Sequence, residues 1–179
     1  MIYGTLNANG TFDSIEQGDA LPSGAVEITA ADALAMSQGR GHPCYKPDGS
    51  GGIMLDQAAA AAFDLDVEKE KKRAELNAAC SALITGGFTS AALGQPYAYD
   101  SALEDQMNLI GAKSAGVALP YPCRDANGVK ADRNHTAAQL LQVFNDGMVI
   151  KVNALAKCRT LKDQVKAATT VAAVQGVKW

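Results

Sequence analysis

The chain has 179 residues, enough for one medium domain or two small ones around a real core. Nearly half are apolar, yet only 6% are aromatic and alanine supplies much of the rest, which suits helices packed through small side chains better than a deep ligand pocket. A net charge of -3 lacks the basic footprint that phosphate binding demands, so nucleic acid is not an expected partner.

The first 56 residues are dense in turn signals. Asn9-Gly10 between MIYGTLN and TFDSI predicts a hairpin whose two central residues need positive φ. Asp48-Gly49 predicts a second one between CYK and GGIML, lengthened by Pro47 and the extra glycines. Between them AVEIT (25–29) reads as a strand, and Thr29 with Asp32 three positions on predicts the cap of a short helix ending at Gly39. Residues 58–62 are all alanine and are followed by FDLDV and the charged run EKEKKR (68–73). Pairing of Glu68 with Lys72 and of Lys71 with Glu75 predicts a solvated helix there. Its apolar face starts at Leu76, continues through Ala79, Cys80 and Leu83, and stops at Gly86-Gly87.

Further on, GFTSAALGQPYAY (87–99) reads as a loop or short strands. Ser101 with Glu104 predicts a capping box, and Leu103, Met107 and Ile110 predict the packed face of a helix ending near Gly116. Asn127-Gly128 in YPCRDANGVKAD (121–132) predicts a third hairpin. Thr136 with Gln139 predicts a second capping box, opening a helix to about Ala168 with Leu140, Phe144, Met148, Val152 and Leu155 on one stripe. Gly147 is a weak point in that helix, costing about 1 kcal/mol against alanine. The end predicts a helical turn with Val174 and Trp179 folding back. The fold expected is α+β. A small β-hairpin-rich N-terminal module (1–57) and a helical linker (58–73) lead to a helical domain carrying a β-hairpin (74–179).

Cys44, Cys80, Cys123 and Cys158 lie roughly 35–43 residues apart without a CxxC pair, so neither a zinc site nor a disulfide framework is expected, and the thiols should stay reduced. His42 and Cys44 would need two further ligands to hold a metal, and the one other histidine is His135 in the other module. Cys123 and His135 could in principle form a nucleophile and base, with Asp125 or Asp132 orienting the imidazole. Local structure explains both residues as well, since Cys123 falls in a hairpin strand and His135 just before a helix cap. The DGSGG stretch (48–52) lacks the Lys-Ser/Thr that a phosphate-binding loop requires. Glu104 and Asp105 are adjacent on a helix, where side chains diverge and cannot work as a carboxylate pair. Tyr97, Tyr99 and Tyr121 cluster in loop-like segments and are the residues expected to meet a partner, with closure of the core as the alternative. No catalytic residue, cofactor or metal is expected.

The pieces AELNAACSALITGGFTS (74–90), YDSALEDQMNLIGA (99–112) and YPCRDANGVKADRNHTAAQLLQV (121–143), with the terminal tryptophan, resemble an uncharacterised phage domain family of tail-fibre and tail-fibre-assembly-type proteins. More weakly, AVEIT, LAMSQG (34–39), PDG (47–49) and GIMLD (52–56) resemble the opening of tail-fibre assembly proteins. The chain departs from the latter pattern where polyalanine replaces a proline-rich stretch.

The resemblance implies a non-enzymatic bacteriophage tail-associated protein, an assembly factor (chaperone) for the tail fibre that can remain on it in the virion. Its implied partner is the fibre or another tail or baseplate protein, with a trimer if a trimeric fibre imposes one. A permanent structural component of tail or baseplate is the second reading, and a cysteine-dependent hydrolase the third. The opening MIYGTLNANG carries no secretory pattern, and no apolar run is long enough for a membrane span. The expected location is therefore the host cytoplasm during assembly and then the virion tail.

Overall fold

The computed structural model describes residues 1–179 and has the α+β composition expected. By contacts the chain divides into two compact units, Met1–Glu70 with Thr169–Val174, and Lys71–Ala168 with Gln175–Trp179.

In the first unit β1 (Ile2–Leu6), β2 (Phe12–Gln17) and β3 (Val26–Ile28) form an antiparallel sheet in the order β2-β1-β3. The Thr29 hydroxyl accepts from the Asp32 amide and opens α1 (Ala30–Gln38), as its spacing predicts. A 3-10 turn at His42–Cys44 leads into the hairpin of β4 (Tyr45–Pro47) and β5 (Ile53–Leu55). Phe12, Ile28 and Met36 form the core, flanked by Ile15, Tyr45 and Ile53. Gly4 is a close-approach residue within β1, because a Cβ there would run into the Phe12 ring. From this unit α2 (Gln57–Thr85) continues as one unbroken helix.

The second unit carries a four-stranded antiparallel sheet of β6 (Phe88–Ser90), β7 (Tyr97–Tyr99), β8 (Leu119–Arg124) and β9 (Lys130–His135), neighbours in chain order. Helices α3 (Leu103–Ser114) and α4 (Ala137–Ala167) pack with it around Tyr99, Leu109, Tyr121, Cys123, Leu140 and Val143. Along β8 the side chains alternate, with Tyr121 and Cys123 buried and Pro120 and Pro122 on the other face. The prolines lie where β8 has β9 but not β7 beside it, since β7 pairs with β8 at Ala98–Arg124. A strand edge tolerates residues without an N–H. The chain ends in α5 (Val171–Gly176), with Val174 fully buried and the Lys157 ammonium 4.9 Å from the centre of the Trp179 ring.

All three hairpin signals close hairpins, by a different turn from the one expected. No residue other than glycine has positive φ, so Asn9 and Asn127 are not the first half of a two-residue turn. Each tip is a five-residue loop opened by Asn or Asp, at Asn7–Thr11, Asp48–Gly52 and Asp125–Val129. In each the opening Oδ1 accepts from the backbone N–H groups two and four residues on. The opening N–H donates to the carbonyl of the last loop residue, and the fourth residue is a glycine at φ between 79° and 96°.

Four other expectations are corrected. The Ser101–Glu104 box does not form: Ala102 is the N-cap of α3, and the Asp105 carboxylate accepts from its N–H. The buried Ser101 hydroxyl instead donates to the Ile84 carbonyl and accepts from the Gly87 N–H, tying the end of α2 to the sheet. Leu103, Met107 and Ile110 do lie on α3, but on its open face, and Leu109 is the residue that packs inward. On α4 the buried row is Leu140, Val143, Ala154, Cys158 and Val165, because the helix faces first the sheet and then α2; Met148, Val152 and Leu155 are exposed. On α2 Leu76 and Cys80 are buried while Leu83 is exposed, and Glu75 pairs with Lys72 rather than Lys71. Lys72 is itself buried, its aliphatic stem covered while its ammonium meets that carboxylate.

Candidate functional site

The β8–β9 hairpin and β7 bring most of the sequence-selected residues together, in the interior. Tyr99 is stacked on Phe88 and Tyr121 at 5.6 and 6.4 Å between ring centres, and His135 meets both tyrosines edge-on. Tyr99, Tyr121, Cys123 and His135 are all buried. Of the two roles expected for Tyr99 and Tyr121, they fill that of closing the core: their strands alternate, and both rings fall on the inner face of the sheet. Burial raises the Tyr99 phenol well above its ordinary range and pushes Tyr121 up to about 12, so both hydroxyls stay protonated and act as hydrogen-bond groups. Tyr97, on the same face of β7 as Tyr99, is half-buried and packs against this core. The Arg133 guanidinium lies 4.8 Å from its ring centre, and Gln95 donates to its hydroxyl.

The cysteine–histidine pair does not have the geometry of a nucleophile and its base. The Nδ1–H of His135 donates to the Arg133 carbonyl at 2.7 Å, since a carbonyl can only accept. Nε2 meets the Tyr99 hydroxyl at 2.9 Å. Both ring nitrogens are thus engaged, and neither is left to take a proton from Cys123. Arg133 lies over the thiol, its Nη1 3.7 Å from Sγ and 2.7 Å from the Cys123 carbonyl. Asp125 closes the hairpin loop and pairs with Arg133, and Asp132 is exposed on β9. Neither carboxylate touches the imidazole. Together these residues make a hydrogen-bonded aromatic core that locks three strands in register. Among the remaining candidates, the Cys44 thiol donates weakly to the Arg40 and Ala59 carbonyls, and no group of His, Cys, Asp and Glu is arranged to hold a metal.

The open feature of this unit lies where α3, α4 and β6 meet. An apolar cleft there is floored by Phe88, Leu109 and Phe144 and walled by Ile110, Gly147 and Met148. Gly147 is the reason Phe88 fits: a Cβ at that position would stand 2.9 Å from the ring's Cζ. At one end the Lys151 ammonium donates to Gln106 Oε1, and Gln106 Nε2 donates to the Ser101 carbonyl, giving the cleft a polar rim. Beside it, Leu103, Met107 and Ile110 are 70, 65 and 51% exposed, and Met148, Val152 and Leu155 continue the apolar surface along α4. Sequence reasoning found these residues but assigned them to the core. A period of 3.6 reports that a helix has an apolar face, not which neighbour covers it. Phe88 and Gly147 carried no periodic signal at all.

A model of the family described as "Domain of unknown function (DUF4376)" matches residues 67–177, which takes in the whole sheet, α3, α4 and the cleft. Comparison with curated proteins and with solved structures gives no match.

Proposed function

The chain belongs to the DUF4376 family, and we propose that this member is a non-enzymatic, tail-associated protein of a tailed bacteriophage that assists assembly of the tail fibre. The observation that carries the reading is the apolar surface formed by Leu103, Met107 and Ile110 beside the Phe88–Phe144 cleft. Soluble chains seldom leave three large apolar residues of one helical face uncovered next to an apolar cleft, and such surfaces mark protein contact sites. The sequence resemblance supplies the identity of the partner as a fibre or another tail protein. A growing fibre exposes strand edges and apolar surface until its chains associate, and an apolar receptor covering them suppresses aggregation. Engagement of both His135 nitrogens and burial of Cys123 support the non-enzymatic part.

Co-expression of the fibre with and without this chain tests the proposal, read as the yield of soluble trimeric fibre. The expected result is a higher yield with the chain, lost when Leu103, Met107 and Ile110 are together replaced by serine; equal yields with and without the chain overturn it. Mass spectrometry of purified virions then separates a transient factor, which is absent, from a component retained on the tail, which is stoichiometric.

A further inference from the structure

Where α2 and α4 cross within the second unit, two of the four cysteines face one another. The Cys80 thiol on α2 donates to the Ala154 carbonyl on α4 at 3.6 Å. The Cys158 thiol on α4 donates to the Leu76 carbonyl on α2 at 3.8 Å. The contacts are reciprocal: each sulfur reaches the opposing backbone one helical turn before the other cysteine. Such reach demands close approach of the helices, which the small Ala154 side chain allows. Both thiols therefore sit in the same helix crossing. They are not sealed in, because both line an open cleft together with Asn77, Ser81, Arg159 and Lys162. Cys44 and Cys123 are buried elsewhere, each beside carbonyl or aromatic neighbours and without a second cysteine.

We propose that Cys80 and Cys158 are a disulfide-forming pair, oxidised by a low-molecular-weight disulfide that enters this cleft, and that the bond clamps α2 to α4. One cysteine loses its proton and its thiolate attacks the reagent's S–S bond, forming a mixed disulfide and expelling one small thiolate. The second cysteine loses its proton and attacks the protein sulfur of the mixed disulfide, forming the Cys80–Cys158 bond and expelling the other small thiolate. The two released thiolates take up the two protons, so two protein thiols are oxidised and one small disulfide becomes two small thiols. Burial pushes the Cys80 thiol up and the neighbouring Cys158 adds to this, which keeps Cys80 protonated and slow to react in a thiol-rich cytoplasm. Transfer to oxidising surroundings then sets the clamp. The chemistry of the pair holds or fails whatever the chain assists.

The full-length chain is equilibrated under native conditions in graded mixtures of oxidised and reduced glutathione, quenched by alkylation and mapped by peptide mass spectrometry. The expected product is a peptide cross-linked through Cys80 and Cys158, with Cys44 and Cys123 alkylated. Closing a loop of this length raises the thermal midpoint by roughly 5–15 °C, reversed by dithiothreitol. Cys80→Ser and Cys158→Ser each abolish both effects, whereas Cys44→Ser retains them. The wild-type map needs no variant to fold. Arrest at a glutathione adduct, a cross-link through other cysteines, or a midpoint that does not rise on oxidation overturns the proposal.

Discussion

At residue scale, Gly147 separates two effects of opposite sign. Alanine in a helix interior is favoured over glycine by about 1 kcal/mol. Here the added methyl would meet Phe88 Cζ at 2.9 Å, and overpacking of this kind costs about 1–3 kcal/mol. The clash should win, so Gly147→Ala lowers stability by about 1 kcal/mol in urea unfolding; a gain would mean the ring moves aside freely. His135 makes a second case. Tyr99→Phe removes the hydroxyl from its Nε2 and leaves a buried nitrogen without a partner, which costs about 1–3 kcal/mol. Equal stability of wild type and Tyr99→Phe would show that the contact contributes nothing. These residues explain why a cysteine and a histidine twelve positions apart looked like a catalytic pair. Sequence shows proximity along a hairpin, while strand alternation and the intervening Tyr99 decide what the imidazole touches.

The hairpin tips bring the same lesson to the scale of elements. Asn-Gly or Asp-Gly marks each place where the chain turns, but an Asn or Asp three positions before a glycine is the feature all three tips share. Asn127 therefore has ordinary backbone geometry, and Asn127→Ala should change stability by less than about 0.5 kcal/mol. Gly128, at φ 79°, should lose about 1 kcal/mol or more as alanine. Comparable losses at both positions, measured by thermal or urea unfolding, would contradict the five-residue loop. Next to this tip, Asp100 accepts from Lys130 at 2.7 Å and from Arg124 at 3.2 Å, and these bonds hold its carboxyl below the ordinary aspartate range. A depressed folded value means stabilisation that is complete above the unfolded aspartate pKa and fades as pH falls through the folded one. The group is partly exposed, so the effect is small. Asp100→Asn should be less stable than wild type at neutral pH and equal to it in acid; a gap that persists in acid would remove the ion pairs as its cause. Helix caps at Thr29 and Thr136 were legible because a cap is a local bond between neighbours in sequence. The inward face of α4 was not, since it turns from the sheet to α2 along its length.

Across the whole molecule, the α+β architecture was readable because helical and strand periods differ and because turns are punctuated by glycine. The cleft was not, since its floor comes from Phe88 and Phe144 and its fit from a missing side chain at Gly147. The exposed α3 residues give this scale its own prediction. Leu103→Ser, Met107→Ser and Ile110→Ser combined should leave the thermal midpoint within a few degrees of wild type, because truncating exposed side chains removes little buried area. A large fall would show that these side chains are structural, and would withdraw them as a contact surface. The loop at Asp125–Val129 has a further consequence, in time rather than in space. It joins strands adjacent in sequence, and a hairpin of this kind closes on the order of 1–10 μs. Six residue pairs of β8 and β9 come into register behind it, and Thr136, directly after β9, is then in place to start α4. A hairpin that seeds the sheet and the long helix predicts that Gly128→Ala slows refolding about as much as it destabilises, with the unfolding rate nearly unchanged; an effect confined to the unfolding rate would place the hairpin late in folding.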